Sequence, residues 1–308
     1  MATPVALTRV RHEMLDMGGG IKLQLSVAAP LSKMPPLFAL YILDPEPELF
    51  ALAAAHMYGR YGYDDDDSPE ASVMRRCVLV GVGHDPALFH AGPHGWKVPN
   101  LRELRRRHFL RNQGNFLYMV SNAVPRAEPM LGLAGITRER RALLGCSLSS
   151  LLALRTVLRP SVPSAASGDV FGCVVAGSPS LPLCPQLLDE AMAAASAASA
   201  TPSERPPPTQ AECHAVHVLL IVGEREATCT NDAAEIEQLR ARLGLGAEAP
   251  MGNGIPVAAE AMASLLRKLG HPVEDVVVVA GEGHDSLKPC LVSRGMGWLE
   301  KCWSAIAT

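Results

Sequence analysis

Short apolar segments recur along the chain and are separated by segments with helical spacing. The apolar segments are typical of strands buried within a sheet, and they lie at 37–43, 77–83, 140–145, 171–175, 217–222 and 275–280. A seventh segment, 21–27, alternates apolar and polar residues and predicts a strand with one exposed face. Helices are predicted at 50–57, 115–131, 148–158, 258–269 and 290–303. Strands that alternate with helices indicate an α/β fold, with a mostly parallel central sheet and helices on both faces.

Two stretches depart from this pattern. Residues 191–211 are dominated by Ala, Ser, Pro and Thr. This composition predicts a mobile surface insertion, with a frayed helix running into a linker as the alternative. Residues 244–256 predict a loose loop. Because strands resume after each stretch, we expect one domain spanning residues 1–308.

Composition and charge narrow the class of protein. The chain has 308 residues, of which 48% are hydrophobic and 19% are charged, so it can build a large core. A net charge of −3 argues against a nucleic-acid or membrane-surface role for the whole molecule. The first 15 residues lack the apolar core of a signal peptide, and no window is long and apolar enough to span a membrane. The 8 cysteines form no C-x-x-C pair, which is typical of reduced cysteines, and we expect a cytoplasmic protein.

A serine lies on the predicted turn between the strand 140–145 and the helix that follows it. A sharp strand-to-helix turn would display the Oγ of Ser147 at the carboxyl end of the sheet. The backbone N–H of Leu148, at the helix start, would then point to where a negative oxygen could be held. The match to G-x-S-x-G is incomplete, because Ser149 stands where the second glycine is expected. The small side chain still permits the close approach of helix and strand.

Two further strands end in residues of catalytic type. His284 follows the last predicted strand, and Glu226 follows the strand 217–222, with Glu224 and Asp232 as alternative acids. The carboxyl ends of parallel strands gather at one edge of the sheet. Serine needs a neutral imidazole to take its proton, and a carboxylate fixes the imidazole tautomer. The chain order of serine, acid and histidine is the order that α/β hydrolases use.

No metal or cofactor is expected. The acidic run 64–67 is typical of a solvated loop, because its like charges repel and show no ligand spacing. Gly92 and Pro93 exclude the helix that would align His90 with His94 as metal ligands. The Gly81-Val82-Gly83 sequence lacks the third glycine of a dinucleotide site.

A series of short motifs resembles the putative esterase family of α/β hydrolases, the esterase D-like group that includes bacterial siderophore esterases. The motifs, in family order, are Tyr41-Ile-Leu-Asp44, Val80-Gly-Val-Gly83, Arg105-Arg106, Val124-Pro125, Leu144-Gly-Cys-Ser-Leu148, Gly177-Ser-Pro-Ser180, Gly223-x-x-Glu226 and Gly283-His284. The resemblance implies the α/β-hydrolase fold and ester hydrolysis, with Ser147 as nucleophile and His284 as base. It also implies a second oxyanion donor beside Leu148, from the backbone after Asp44 in the Pro45 region.

The sequence departs from the family pattern at two places. Ser149 and Ser150 replace a glycine pair, and His108 stands where an aspartate is usual. These departures bear on substrate fit more than on the chemistry. Some siderophore esterases work as Ser–His dyads, so Glu226 could be dispensable.

The resulting hypothesis is a serine carboxylic-ester hydrolase that forms an acyl-enzyme from a small-molecule ester. An acyltransferase or thioesterase on the same site is the first alternative, and an inactive hydrolase-fold binding protein is the second. The presence of both Ser147 and His284 argues against the second. Arg105 and Arg106 belong to a basic segment that either attracts an anionic acyl group or forms a solvated helix face.

Overall fold

The structure is a computed structural model of the chain. It describes residues 10–18, 21–43, 47–62, 72–84, 113–133, 135–158, 170–198, 215–227, 241 and 255–307. Several predicted features lie outside these residues, namely the loop after Asp44, the acidic run 64–67, His90 and His94, the basic pair Arg105 and Arg106, His108, Asp232, and the stretches 199–211 and 244–254.

The described strands form one 8-stranded sheet. They are β1 (Val10–Gly18), β2 (Ile21–Ala28), β3 (Phe38–Leu43), β4 (Cys77–His84), β5 (Arg141–Cys146), β6 (Cys173–Gly177), β7 (His217–Gly223) and β8 (Val277–Val279). Their order across the sheet is β1-β2-β4-β3-β5-β6-β7-β8. β2 runs antiparallel to both of its neighbours, and all the other pairs are parallel. The predicted mostly parallel sheet is confirmed, and β1 is a strand that the sequence patterns did not predict.

Helices cover both faces of the sheet, as predicted. They are α1 (Pro47–Tyr61), α2 (Gln113–Leu131), α3 (Leu148–Leu158), α4 (Pro185–Ala198), α5 (Ile255–Lys268) and α6 (Lys288–Ala307). Side chains of α1 and α6 share one core with one face of the sheet, and side chains of α2 to α5 share another core with the opposite face. None of these described helices combines the length and the low polarity that a bilayer crossing requires.

The side chains of β3 show why both faces are covered. Tyr41 contributes to the core beneath α2 to α5, and the adjacent Ile42 contributes to the core beneath α1 and α6. Successive side chains of a strand point to opposite faces, so a strand that is apolar at every position needs cover on both. On the α6 side, Phe38 stacks on the fully buried Trp303 with ring centroids 4.8 Å apart. This contact fixes α6 against β3.

A buried polar network ties the start of β5 to α2. Arg141 forms a bidentate ion pair with Glu128, and its Nη2 lies 2.7 Å from Glu128 Oε2. The hydroxyl of Tyr41 donates to Glu128 Oε1 at 3.4 Å. Burial, and then the charge of Glu128, raise the pKa of Tyr41, so the phenol stays a neutral donor.

The described part of the predicted insertion 191–211 is helical, which agrees with the alternative of a helix that runs into a linker, and its mobility stays a prediction. Residues 191–198 complete α4, in which Leu187, Ala191 and Ala195 recur at a spacing of four residues and are buried. This spacing places the small alanines on one helix face, where they are buried. The predicted loop 244–256 is wrong at its end, because α5 begins at Ile255. Pro256 is compatible with the first turn of a helix. The single-domain organisation stays a prediction.

Candidate active site

Ser147 is the one residue between the end of β5 and the start of α3. Its φ of 60° lies in the left-handed region, so the chain reverses sharply at this residue. The N–H of Ser147 donates to Gly177 O at the end of β6, at 2.9 Å. A Cβ on Gly145 would lie 2.6 Å from the carbonyl oxygen of Ser149, so glycine is needed where β5 meets the helix. The turn therefore has the strand-to-helix geometry that the sequence predicted.

The two serines after Leu148 take up the positions of the family's glycine pair without loosening the turn. Ser149 Oγ accepts a hydrogen bond from Cys146 N–H and donates one to Cys146 O, both at 2.9 Å. Ser150 Oγ donates to Gly177 O at 2.6 Å. Both serines are buried. Their hydroxyl groups thus close the turn on its own backbone and on β6.

His284 lies on the turn between β8 and α6, and it contacts both other predicted residues. Its Nε2 is 2.8 Å from Ser147 Oγ, and its Nδ1 is 2.8 Å from Glu226 Oε1. A carboxylate only accepts hydrogen bonds, so the Nδ1–H donates to Glu226. This tautomer leaves the lone pair of Nε2 to accept the hydroxyl proton of Ser147.

Glu226 lies in the 3₁₀ turn Glu224–Ala227, directly after β7. Its side chain is 0% exposed, whereas that of His284 is 36% exposed. Its second oxygen, Oε2, accepts the N–H of Gly223 at 2.9 Å. Each carboxylate oxygen therefore has one donor, and the charge faces the imidazole from the buried side.

The alternative acid Glu224 has a different neighbour. Its Oε2 accepts the N–H of Gly281 at 2.8 Å, and the residue is exposed. The N–H of Arg225 donates to Glu282 O at 2.9 Å, so the acid turn and the histidine turn are joined along their backbones. Of the two glutamates, only Glu226 hydrogen-bonds His284. The third alternative, Asp232, lies outside the described residues.

One further residue contacts this group and was not among the predicted site residues. Ser180 follows β6, its Oγ is 3.2 Å from Ser147 Oγ, and it is 5% exposed. The sequence signal was its position after a strand end, the criterion that selected Ser147, Glu226 and His284. It entered only as part of the Gly177-Ser-Pro-Ser180 motif of the resemblance.

The predicted oxyanion donor and substrate residues are only partly described. Leu148 is the first residue of α3, so its N–H has no acceptor one turn earlier in the helix. It follows Ser147 directly and begins a helix whose dipole favours a negative charge. The Pro45 region, Arg105 and Arg106 lie outside the described residues, so their predicted roles stay predictions.

A scan of protein-family models finds no match. A search of curated proteins also finds no match. Among solved structures, the siderophore hydrolase EstB from Aspergillus nidulans is 18% identical, with a TM-score of 0.64 and 97% of each chain covered. The siderophore hydrolase EstA from the same organism is 17% identical, with a TM-score of 0.58 and 98% of each chain covered.

A bacterial structure shows the same likeness. The IroE-like serine hydrolase from Shewanella oneidensis is 15% identical, with a TM-score of 0.56, and the alignment covers 95% of this chain and 80% of that one. These proteins are of the type that the sequence motifs resemble. The similarity shows that the chain has the α/β-hydrolase fold, as predicted.

Proposed function

We propose that this protein is a serine carboxylic-ester hydrolase that works through an acyl-enzyme on Ser147. The observation that carries the proposal is the continuous set of hydrogen bonds from Ser147 Oγ through His284 to the buried Glu226, with both donor–acceptor distances at 2.8 Å. A nucleophile, a base and an acid that orients the base are the parts that acyl transfer from an ester needs. The α/β-hydrolase fold shared with known hydrolases supports the same chemistry.

Acylation begins when Ser147 Oγ attacks the ester carbonyl carbon. The hydroxyl proton passes to Nε2 of His284, and the π electrons of the carbonyl move to its oxygen. Glu226 stabilises the imidazolium without taking the proton itself. When the tetrahedral intermediate collapses, His284 returns the proton to the leaving alcohol oxygen, and an ester of Ser147 remains.

Deacylation repeats these steps with water as the nucleophile. His284 removes a proton from the water while the oxygen attacks the acyl carbon. The intermediate then expels Ser147 Oγ, which recovers its proton from His284. The half-exposed histidine ring is consistent with access by water from the solvent side.

The oxyanion would be held by backbone amides. The N–H of Leu148 is the described donor, and donors of this kind contribute about 10²–10³ in kcat each. The second donor is proposed in the loop after Asp44. Pro45 has no N–H, so it cannot itself donate, and Glu46 is the next residue with an amide hydrogen.

The proposed substrate class is a small-molecule ester of the siderophore type. EstB and EstA are siderophore hydrolases by name, and their fold matches that of this chain over nearly its whole length. Siderophores carry metal-chelating acyl groups that are often anionic, and the basic segment with Arg105 and Arg106 would attract such groups. If the kcat/KM of anionic and neutral esters has the same salt dependence, this role of the arginines is wrong.

Covalent labelling tests the proposal. A fluorophosphonate should label the wild-type protein at Ser147, and a p-nitrophenyl ester should give a burst of one p-nitrophenolate per active site. Ser147→Ala should fold and lose both signals, and His284→Ala should suppress labelling while the serine remains. Labelling that persists in Ser147→Ala, or an active wild type that is not labelled, would refute the proposal. Product analysis with water or an added alcohol as acceptor separates hydrolysis from acyl transfer.

A further inference from the structure

We propose that Ser180 is a further catalytic residue, whose hydroxyl donates a hydrogen bond to Ser147 Oγ and holds the nucleophile in its reactive orientation. This inference rests on the proposed function. The observation that motivates it is the distance of 3.2 Å between the two hydroxyl oxygens, at a serine that is 5% exposed.

The donors and acceptors at Ser147 and His284 determine the direction of this hydrogen bond. The Ser147 hydroxyl has one hydrogen and two lone pairs. Its hydrogen faces the neutral Nε2 of His284 at 2.8 Å, because that nitrogen is an acceptor while Nδ1–H is bonded to Glu226. The hydrogen between the two serines must therefore come from Ser180. Ser147 Oγ thus has an acceptor for its proton and a donor for one of its lone pairs.

Backbone contacts hold Ser180 in place. Gly177 O accepts two hydrogen bonds from the nucleophile turn, one from Ser147 N–H at 2.9 Å and one from Ser150 Oγ at 2.6 Å. On the following residues, Ser178 N–H donates to Ile221 O of β7 at 2.8 Å, and Ser180 O accepts Leu183 N–H at 3.0 Å. The segment that carries Ser180 is therefore anchored to β7 and to the nucleophile turn that follows β5. A donor on such a segment is pre-organised for the nucleophile.

The order of the strands explains why this position is available. β6 lies between β5, which leads to Ser147, and β7, which leads to Glu226. The carboxyl end of β6 is therefore beside the end of β5. A residue that follows β6 can thus reach Ser147 Oγ.

The donor acts on the charge of Ser147 Oγ in both halves of the reaction. As the proton leaves for His284 in acylation, negative charge grows on Oγ before the bond to the acyl carbon is complete. In deacylation the bond from the acyl carbon to Oγ breaks, and Oγ again carries negative charge until His284 returns the proton. Ser180 keeps its own proton throughout. It therefore stabilises both transition states, and we expect its removal to change rate constants rather than substrate affinity.

Ser180→Ala removes the donor, and Ser178→Ala is the matched control. Ser178 is also buried, and its hydroxyl has no hydrogen-bond partner among the described residues, so the control removes the same atom two positions away. We expect Ser180→Ala to lower the acylation and deacylation rate constants of a p-nitrophenyl ester each about tenfold, the scale of one hydrogen bond to a reacting atom. The KM and the thermal midpoint of Ser180→Ala should stay at wild-type values. Ser178→Ala should keep wild-type rate constants.

Three outcomes overturn the proposal. They are wild-type rates in Ser180→Ala, equal losses of rate in both alanine variants, and a change in KM without a change in the rate constants. If Ser180→Ala does not fold, Ser180→Cys replaces it, because a thiol fills the space of the hydroxyl but donates weakly. The rates of this variant should also fall about tenfold, and wild-type rates would refute the role. Failure of the proposed function itself would differ, because the wild-type protein would then show neither a burst nor labelling at Ser147.

Discussion

Replacing Glu226 with glutamine changes one atom of the proposed triad and has an outcome that the structure determines. Both carboxylate oxygens accept hydrogen bonds, one from Gly223 N–H at 2.9 Å and one from His284 Nδ1 at 2.8 Å. Glutamine keeps a single oxygen. The side chain is 0% exposed, so water cannot supply the missing acceptor. The buried amide of Gly223 needs that oxygen, and the NH₂ group of the glutamine then faces Nδ1.

An NH₂ group beside Nδ1 selects the other tautomer of the imidazole. Nδ1 accepts from the amide, and the ring proton moves to Nε2, where it faces Ser147 Oγ. His284 can then no longer accept the hydroxyl proton. Imposing the wrong tautomer on a serine–histidine pair lowers kcat by about 10⁴. Glu226 is buried behind the histidine, so KM should remain near its wild-type value.

Burst kinetics with a neutral p-nitrophenyl ester measure this effect directly. Glu224→Gln is the matched control, because the same change is made two residues away at an exposed side chain. Glutamine retains the oxygen that accepts Gly281 N–H at 2.8 Å in the wild type, so we expect rates close to wild type. If Glu226→Gln keeps its acylation rate within about tenfold of wild type, the buried carboxylate does not set the tautomer and the site works as a dyad.

Three predictions concern the framework that holds the site. Trp303→Ala should lower the free energy of unfolding by about 3–5 kcal/mol in a urea titration, because the indole is fully buried, and a loss under about 1 kcal/mol would contradict the packing. Arg141→Ala should cost about 3 kcal/mol in the same titration, since it leaves the buried Glu128 without its cation, and the double variant with Glu128→Gln should recover part of that loss. Gly145→Ala should cost about 1–3 kcal/mol and lower the burst rate, because its Cβ would lie 2.6 Å from a backbone oxygen of α3. Gly59→Ala in α1, whose Cβ would meet nothing within 4 Å, is its control and should be neutral or stabilising, and equal losses in both variants would refute the close approach at Gly145.

Five of the seven strands that the sequence predicted, β3 to β7, are buried on both faces. Every residue of β3 is buried, so its apolar run stands out from the surrounding sequence. In β1, by contrast, Leu15 is the buried hydrophobic residue, and Arg11 and Met14 are exposed. An edge strand of this kind is held by its backbone ladder to β2, and hydrogen bonds of the backbone leave no pattern in the side chains. Sequence patterns therefore found the centre of the sheet and missed this edge.

Helix α4 was predicted only in part, as a frayed alternative for residues 191–211, and for a different reason. Its alanines and serines were interpreted by composition, as a low-complexity stretch. The four-residue spacing of Leu187, Ala191 and Ala195 was present in the sequence, but alanine contributes weakly to a hydrophobic pattern. The core-facing residues of α4 are mostly small. The sequence signal for this helix was therefore their spacing and not their hydrophobicity.

The candidate site could likewise be predicted only in part from the sequence. Ser147 and His284 could be predicted because each lies on a glycine-flanked turn after an apolar strand. The choice between Glu224 and Glu226 could not be made, since two residues of one short turn point to different neighbours only when the turn is folded. The contact of Ser180 with the nucleophile depends on strand order, which brings β6 next to β5. No local pattern encodes that order.

The left-handed backbone at Ser147 places two kinds of selection in opposition at one residue. A φ of 60° disfavours any side chain with a Cβ, by roughly 1–2 kcal/mol, and glycine would adopt it without strain. Glycine, however, has no Oγ. Under the proposed function, selection for folding stability alone would favour glycine at this position, and only selection for turnover keeps the serine. The backbone strain at Ser147 therefore lowers the stability of the fold, and the need for the nucleophile maintains it.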